Sequence, residues 1–367
     1  MYVTTLPFLK LRSTQYCPPG TRSDTDRIDM ERYSHSTLAR TGIIDREAGI
    51  PAPAVSIVLP TFNRGEIVLQ AVDSVLALDE EAFELVVVDD GSTDATAQKL
   101  QQISDPRVSL VRLPKKSGAN AARNAGIAHA RAPYIAFIDS DDTFLPGRLK
   151  LPLKVLKRYR NVGIVLSAFT TEKASKTTVY SMPERIYTGR DLLRLVARTV
   201  IQPTTSGLTI RRDVLEAIGG FDPTLMRMQD SDLVMRVAQR TMAATIADPL
   251  WHKRWQSDGI SSNRETYFPA LLALIARHDI YQNEELEARD YLIARHLVAL
   301  AKAMRFRQLR LEYNLALAQL DPPPPTLPRL ISQYRISRRN RQRLRHCLLS
   351  GLPVTEVGEA PALSVAP

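Results

Sequence analysis

Cysteine is scarce: Cys17 and Cys347 are the only two among 367 residues. That excludes a disulfide framework and a multi-cysteine zinc site, and it suits a reducing compartment. No run of about 18 consecutive apolar residues occurs, so no transmembrane helix is expected. The first eleven residues carry only Lys10 and have no long apolar run with a small-residue cleavage site, so no secretory signal is expected. The 16 glycines and 24 prolines follow no fixed period, which excludes collagen-like and glycine-linker architectures. What is present is ordinary for a globular protein: 44% apolar and 24% charged residues. The length fits one large domain or two of average size. The net charge of +10 makes an acidic partner worth testing, whether nucleic acid, anionic lipid or a phosphorylated small molecule.

Residues 1–50 are polar and unperiodic and read as a flexible leader. From residue 55 the pattern changes. Short apolar, β-branched runs at 55–60, 83–88, 108–113 and 134–138 have the length of buried strands. Helix-length segments at 66–78, 94–103 and 119–130 separate them. This alternation predicts βαβ units around a mainly parallel sheet, extended by strands at 162–169 and 207–211. The sheet domain is expected to occupy residues 51–260, followed by a helical region at 261–320. Residues 321–328 hold four consecutive prolines and predict a stiff extended linker. Residues 329–346 then carry seven arginines and no acid. A basic helix is expected over 329–350 and a disordered tail over 351–367.

In an open parallel sheet, ligands bind at the carboxyl ends of the strands. Polar residues gather at those ends here. The first strand ends in Pro60-Thr61-Phe62-Asn63-Arg64, the second in Asp89-Asp90-Gly91-Ser92-Thr93-Asp94, and the fourth in Asp139-Ser140-Asp141-Asp142. Carboxylates packed this closely repel one another unless a cation lies between them. Mg²⁺ or Mn²⁺ suits such oxygen ligands together with substrate phosphates. A helix cap ahead of 143–150 would explain the same cluster structurally. Ser92 or Asp94 reads as the cap of the following helix, and Asn63 with Glu66 as a capping box. Lys115, Lys116 and Arg123 add positive charge near a helix start, a setting that favours phosphate.

These motifs, in this order and spacing, resemble the nucleotide-binding half of glycosyltransferase family 2, the inverting GT-A type. The Gly118…Ala122-Arg123-Asn124-Ala125-Gly126 helix and the Asp139-Ser140-Asp141 motif belong to the likeness. It continues less tightly to Gly219-Gly220-Phe221-Asp222 and Gln229-Asp230-Ser231-Asp232. The resemblance implies a nucleotide-sugar donor with Thr61, Asn63, Asp89 and Asp90 around the base and ribose. It places Arg123 and Asp139 at the nucleotide, Asp141 on a divalent cation, Mg or Mn, and Asp230 as general base. Two departures stand out. Gln229 replaces the family's Glu, leaving Asp230 and Asp232 to compete for the base role. The family's late Arg-x-His segment corresponds to residues 251–257, where Arg254 matches but Gln256 takes the His position, and His252 reads as an ordinary half-buried histidine.

The implied acceptor is a saccharide or a lipid-linked sugar, in bacterial surface polysaccharide or glycolipid synthesis. The expected location is cytoplasmic, with peripheral contact to an anionic membrane face through residues 329–346. Two other readings compete. A nucleotidyltransferase is disfavoured because the first loop, 61–66, has one Gly and one Arg where such enzymes carry a Gly-rich basic loop. A nucleic-acid-binding protein is disfavoured because the Arg-rich segment has Tyr334 as its only aromatic.

Overall fold

The computed structural model describes residues 42–44, 52–79, 81–173, 176–254 and 266–350. Most of the expected leader and the whole expected tail lie outside the described residues. The strands are β1 (Gly42–Ile44), β2 (Val55–Thr61), β3 (Phe83–Asp89), β4 (Val108–Arg112), β5 (Tyr134–Phe137), β6 (Thr143–Phe144), β7 (Val162–Lys173), β8 (Lys176–Tyr180), β9 (Arg185–Tyr187), β10 (Leu208–Arg211) and β11 (Met242–Lys253). They form one sheet in the order β1-β4-β3-β2-β5-β10-β7-β11-β6, with β8 on β7 and β9 on β11. The β4-β3-β2-β5 block is parallel. β10 enters antiparallel between β5 and β7, and β7 pairs parallel with β11. β1, inside the expected leader, pairs antiparallel with β4.

Helices cover both faces of the parallel block, which is why its strands are apolar on both sides. Ile57 and Leu59 pack with Val68 and Val72 of α1 (Ile67–Leu76). Val86 and Val88 face Ala122 and Ala125 of α3 (Ala119–His129) on the other side. Between them in sequence lies α2 (Thr96–Gln101). A helix directly after the acids, the structural alternative for that cluster, does not form: the short strand β6 comes first and α4 (Lys150–Arg158) follows. Phe144 and Thr143 pair with Trp251 and His252 of β11, so tertiary pairing overrides the local helix signal.

The second half adds α5 (Gly189–Ala197), α6 (Arg212–Ala217) and α7 (Gln229–Ala238), then α8 (Tyr267–Arg277), α9 (Ile280–Asn283), α10 (Leu286–Lys302), α11 (Phe306–Gln319) and α12 (Leu327–Leu349). One apolar cluster runs from Phe137 and Leu233 through Leu271 and Leu297 to Leu330, Leu344 and Leu348. The helical region therefore shares its core with the sheet. The proline stretch lies against the protein and is not a free spacer. Arg289 donates to the Pro322 carbonyl at 2.7 Å, and the Tyr313 hydroxyl donates to that of Pro325 at 3.0 Å.

Candidate functional site

The β2 and β3 ends are tied to each other before they can meet any ligand. Asn63 takes a left-handed conformation (φ 51°). Its backbone N–H donates to Ser92 Oγ at 2.9 Å, and its side-chain oxygen accepts from Thr93 N at 2.9 Å. The capping box with Glu66 does not form, since α1 has no side-chain cap bond. Ser92 latches the first loop and does not cap a helix. Asp94 does the capping, accepting from Thr96 N at 2.9 Å.

Asp89 is fully buried. One carboxylate oxygen accepts from Ser92 N at 3.0 Å, and the other lies 3.3 Å from Arg112 Nε. One oxygen thus holds the turn and the other pairs across to β4, where the sequence pointed to a nucleotide contact. Asp90 accepts from Ser117 N at 2.7 Å and Gly118 N at 2.8 Å, which fixes the start of α3. Burial pushes its carboxyl above the ordinary range, against the pull of these two amides. Gly91 (φ 72°) cannot be replaced cheaply, because a Cβ there would sit 2.7 Å from the Lys115 carbonyl carbon. The Thr61 hydroxyl is buried with no partner among the described residues, and Lys116 sits 4.1 Å over the Phe62 ring. The Thr61 hydroxyl is therefore an unsatisfied polar group of this corner.

The second corner is built where β5 ends. The Asp139 N–H donates to Ser206 Oγ at 3.0 Å, and Ser206 Oγ donates to Asp142 at 2.6 Å. Asp142 is buried and also meets the Arg254 N–H at 3.3 Å. Burial, then the charges of Asp139 and Asp141, drive its carboxyl well up from the usual value. Asp141 is raised for the same reasons, burial first and Asp139 second, and is opposed by Arg64 and Lys253. Asp142 is the residue whose importance the sequence did not reveal. The repeated acids hid that only one of them turns inward.

Arg123 lies beneath this corner. Its guanidinium is 2.6 Å from Asp139 and donates to Asn120 at 3.0 Å. It is 3% exposed, so it acts as an internal counter-charge, not as an open phosphate clamp. Asn120 donates to the Asp222 and Leu225 carbonyls, and Asn124 exchanges bonds with the Phe221 backbone. The polar face of α3 thereby holds the loop that leads into α7. At the start of α7, Asp230 is partly buried and accepts from the Thr205 hydroxyl. Burial raises its carboxyl, moderated by Arg123, while Asp139 raises it further. Arg123 therefore serves Asp139 and Asp230 together.

Asp232 is engaged by structural partners. It is buried, 2.7 Å from Arg236 and 3.1 Å from His278 Nε2. Burial alone would raise its carboxyl, but the bonds from His278 and Arg236 outweigh this and hold it below the ordinary value. A depressed folded-state value gives stability that is present above the unfolded-state value of about 4 and is lost as pH falls from there through the lower folded-state value. Asp232→Asn should destabilise the fold by about 3–5 kcal/mol, the cost of leaving a buried partner charge unpaired. It should also flatten the acid side of the stability profile. Denaturant melts between neutral and acid pH test this, and an unchanged midpoint would contradict it. His252 bonds Thr170 at 2.9 Å, on the β7 side of β11.

Among the described residues, no group of three or more His, Cys, Asp or Glu is placed to hold a metal alone. Asp142 is committed to Ser206, and one oxygen of Asp139 to Arg123. Asp141 and the second Asp139 oxygen remain. That sparse donor set fits a cation completed by phosphate oxygens, since Mg²⁺ is typically held by one or two carboxylates plus substrate.

Residues 56–219 match the model described as glycosyl transferase family 2. The chain carries a domain of this family. The matched segment contains every site residue described above except those from Phe221 to Arg236, those at the end of β11, and His278. A curated relative, the succinoglycan biosynthesis protein ExoO of Rhizobium meliloti (strain 1021), is 45% identical over 98 residues, covering 27% of this chain and 28% of the relative. The putative teichuronic acid biosynthesis glycosyltransferase TuaG of Bacillus subtilis (strain 168) is 38% identical over 106 residues, 28% of this chain and 42% of that one. The matches thus span less than half of these relatives. Among solved structures, S. aureus TarS 1–349 in complex with UDP-GlcNAc superposes with a TM-score of 0.59 at 17% identity, covering 81% of this chain and 92% of that one. At that identity the likeness shows the GT-A-type fold, and it extends past the family 2 domain into the helical region.

Proposed function

We propose that this protein transfers a sugar from a nucleoside-diphosphate donor to an acceptor hydroxyl with inversion, in the assembly of a bacterial surface polysaccharide or glycolipid. The observation that carries this reading is the second corner. A strand-end carboxylate, Asp141, and a helix-start carboxylate, Asp230, both feel the charge of Asp139, and Arg123 is the counter-charge of Asp139 and Asp230. One-step inversion needs two such poles. One side neutralises a departing diphosphate, and the other takes the proton of the incoming hydroxyl.

In this reading Thr61 offers its unpartnered hydroxyl to the donor's base or ribose, with Asn63 and Asp90 shaping the pocket wall through the loops they fix. Asp89 and Arg123 are positioning residues. Asp139 borders the ribose and diphosphate, and Asp141 holds the divalent cation. When bound, that cation supplies charge neutralisation for the leaving diphosphate. The relatives' printed roles in succinoglycan and teichuronic acid biosynthesis support a saccharide or lipid-linked acceptor.

Neither competing reading gains an observation. Tyr334, the only aromatic of the Arg-rich segment, is stacked on Tyr291 at 5.5 Å and offers no free platform for a base. We place the protein in the cytoplasm, acting at the inner membrane face. No helix of the described residues is long and apolar enough to cross a membrane.

A donor screen tests the reading. Release of UDP, GDP or dTDP from a panel of nucleotide sugars should occur for one base class and rise with Mn²⁺ and a saccharide acceptor mixture. Protection of the fold against heat by one nucleoside diphosphate should match the same base. Neither release nor protection across the panel would overturn the donor assignment.

A further inference from the structure

Four large apolar side chains stand in solvent within one short stretch. Met304 is 78% exposed, Phe306 56%, Leu311 62% and Leu317 40%. Single exposed apolar residues are normal on a soluble surface, but a cluster marks an interaction site. At 100° per residue, Phe306, Leu317, Arg310, Arg307 and Leu311 fall on one arc of about 140° of α11. The opposite arc carries Leu309 and Ala316 into the core. So α11 is amphipathic in an unusual sense: its buried side is satisfied, and its outer side is still partly apolar.

The charge on that outer side has one sign. Lys302, Arg305, Arg307 and Arg310 are exposed. The one acid between residues 302 and 320, Glu312, is turned inward against His296 and Gln308. Apolar side chains interleaved with cations, and no exposed acid, form the surface of a helix that lies in a lipid interface. A second copy of the chain would oppose these cations with its own in a twofold contact, so charge complementarity favours an anionic lipid surface over self-association.

The Arg-rich helix itself presents no continuous apolar face: its exposed large apolar side chains, Ile336 and Leu349, lie about 140° apart around its axis. Leu330, Leu344 and Leu348 of α12 are buried in the core, and Arg341 donates to the Thr199 carbonyl at 3.0 Å. Its arginines 335, 338 and 339 remain exposed. We propose that the outer face of α11, with Met304 in the turn before it, inserts into an anionic membrane surface, while α12 adds mainly charge. This assignment does not depend on the sugar-transfer reading.

Co-sedimentation of the full chain tests it, using phosphatidylglycerol–phosphatidylcholine vesicles against pure phosphatidylcholine. The protein should pellet with the anionic vesicles and be released by high salt. Phe306→Ser with Leu311→Ser should weaken binding on the order of tenfold per residue. Arg307→Gln with Arg310→Gln should weaken it by roughly fivefold per charge. All four positions are exposed, so thermal melting should not change. Equal pelleting of wild type and both variants would overturn the proposal. So would loss of binding only on neutralising Arg335, Arg338 and Arg339. A dimer that the Phe306→Ser, Leu311→Ser variant converts to monomer, with lipid binding intact, would assign the face to self-association instead.

Discussion

Asp230→Asn is expected to lower turnover by about 10²–10⁴-fold while leaving nucleotide affinity nearly unchanged, the usual contribution of a positioned general base. Asparagine keeps the volume and can still accept from the Thr205 hydroxyl, so α7 should begin as before. What disappears is the ability to take a proton. The environment suits that task. Burial raises the Asp230 carboxyl above its ordinary range, and Arg123 moderates the rise. A carboxylate raised above the ordinary aspartate value accepts a proton more readily than a solvated aspartate. The acid limb of the wild-type pH–rate profile should lie above the ordinary aspartate value and be absent from the residual activity of the variant. Steady-state turnover and nucleotide titration on the same preparations separate the two effects. If Asp232→Asn abolishes turnover in well-folded protein and Asp230→Asn does not, the roles are exchanged. The ion pair of Asp232 with Arg236 and its hydrogen bond with His278 argue against that exchange.

The parallel block was legible because its strands are continuous apolar runs that stop at acids. Expected strands at 55–60, 83–88 and 108–113 compare with Val55–Thr61, Phe83–Asp89 and Val108–Arg112. Direction was not legible. The short run at 207–211 extends the sheet as expected, but it lies antiparallel between β5 and β7, and four apolar residues carry no signal of strand polarity. The Asn63–Glu66 pattern misled for a related reason. A capping box is a local motif, whereas the partners Asn63 finds are Ser92 and Thr93, about thirty residues away. Proximity of the carboxylates was readable from their strand-end positions. Which of them face ligand and which hold backbone was not, because Asp89 and Asp142 turn inward through contacts with Arg112 and Ser206 that only the folded chain brings together. The same limit applies to the Arg-rich helix, whose sparse leucines are anchors into a core built by distant helices.

Asp141→Ala is expected to abolish transfer with the fold intact. The residue lies just beyond the end of β5 and makes no side-chain contact that holds a neighbouring element, so truncation removes little packing. Its carboxyl is raised by burial and then by Asp139, so part of the cost of ionising it is repulsion from the neighbouring acid. A cation shared with a diphosphate relieves that repulsion, and losing the ligand removes both the cation and its neutralisation of the leaving group. Asp142→Ala is the contrasting variant. It strips the buried partner from Ser206 Oγ and the Arg254 N–H, and should cost about 1–3 kcal/mol of stability for the unsatisfied groups. Thermal melts, Mn²⁺ binding followed by electron paramagnetic resonance with the nucleoside diphosphate present, and turnover separate the pair. Asp141→Ala should melt normally, release Mn²⁺ and fail to turn over, while Asp142→Ala should melt early. Near-normal turnover by correctly folded Asp141→Ala would remove Asp141 from the metal site and leave Asp139 as the remaining carboxylate able to fill it.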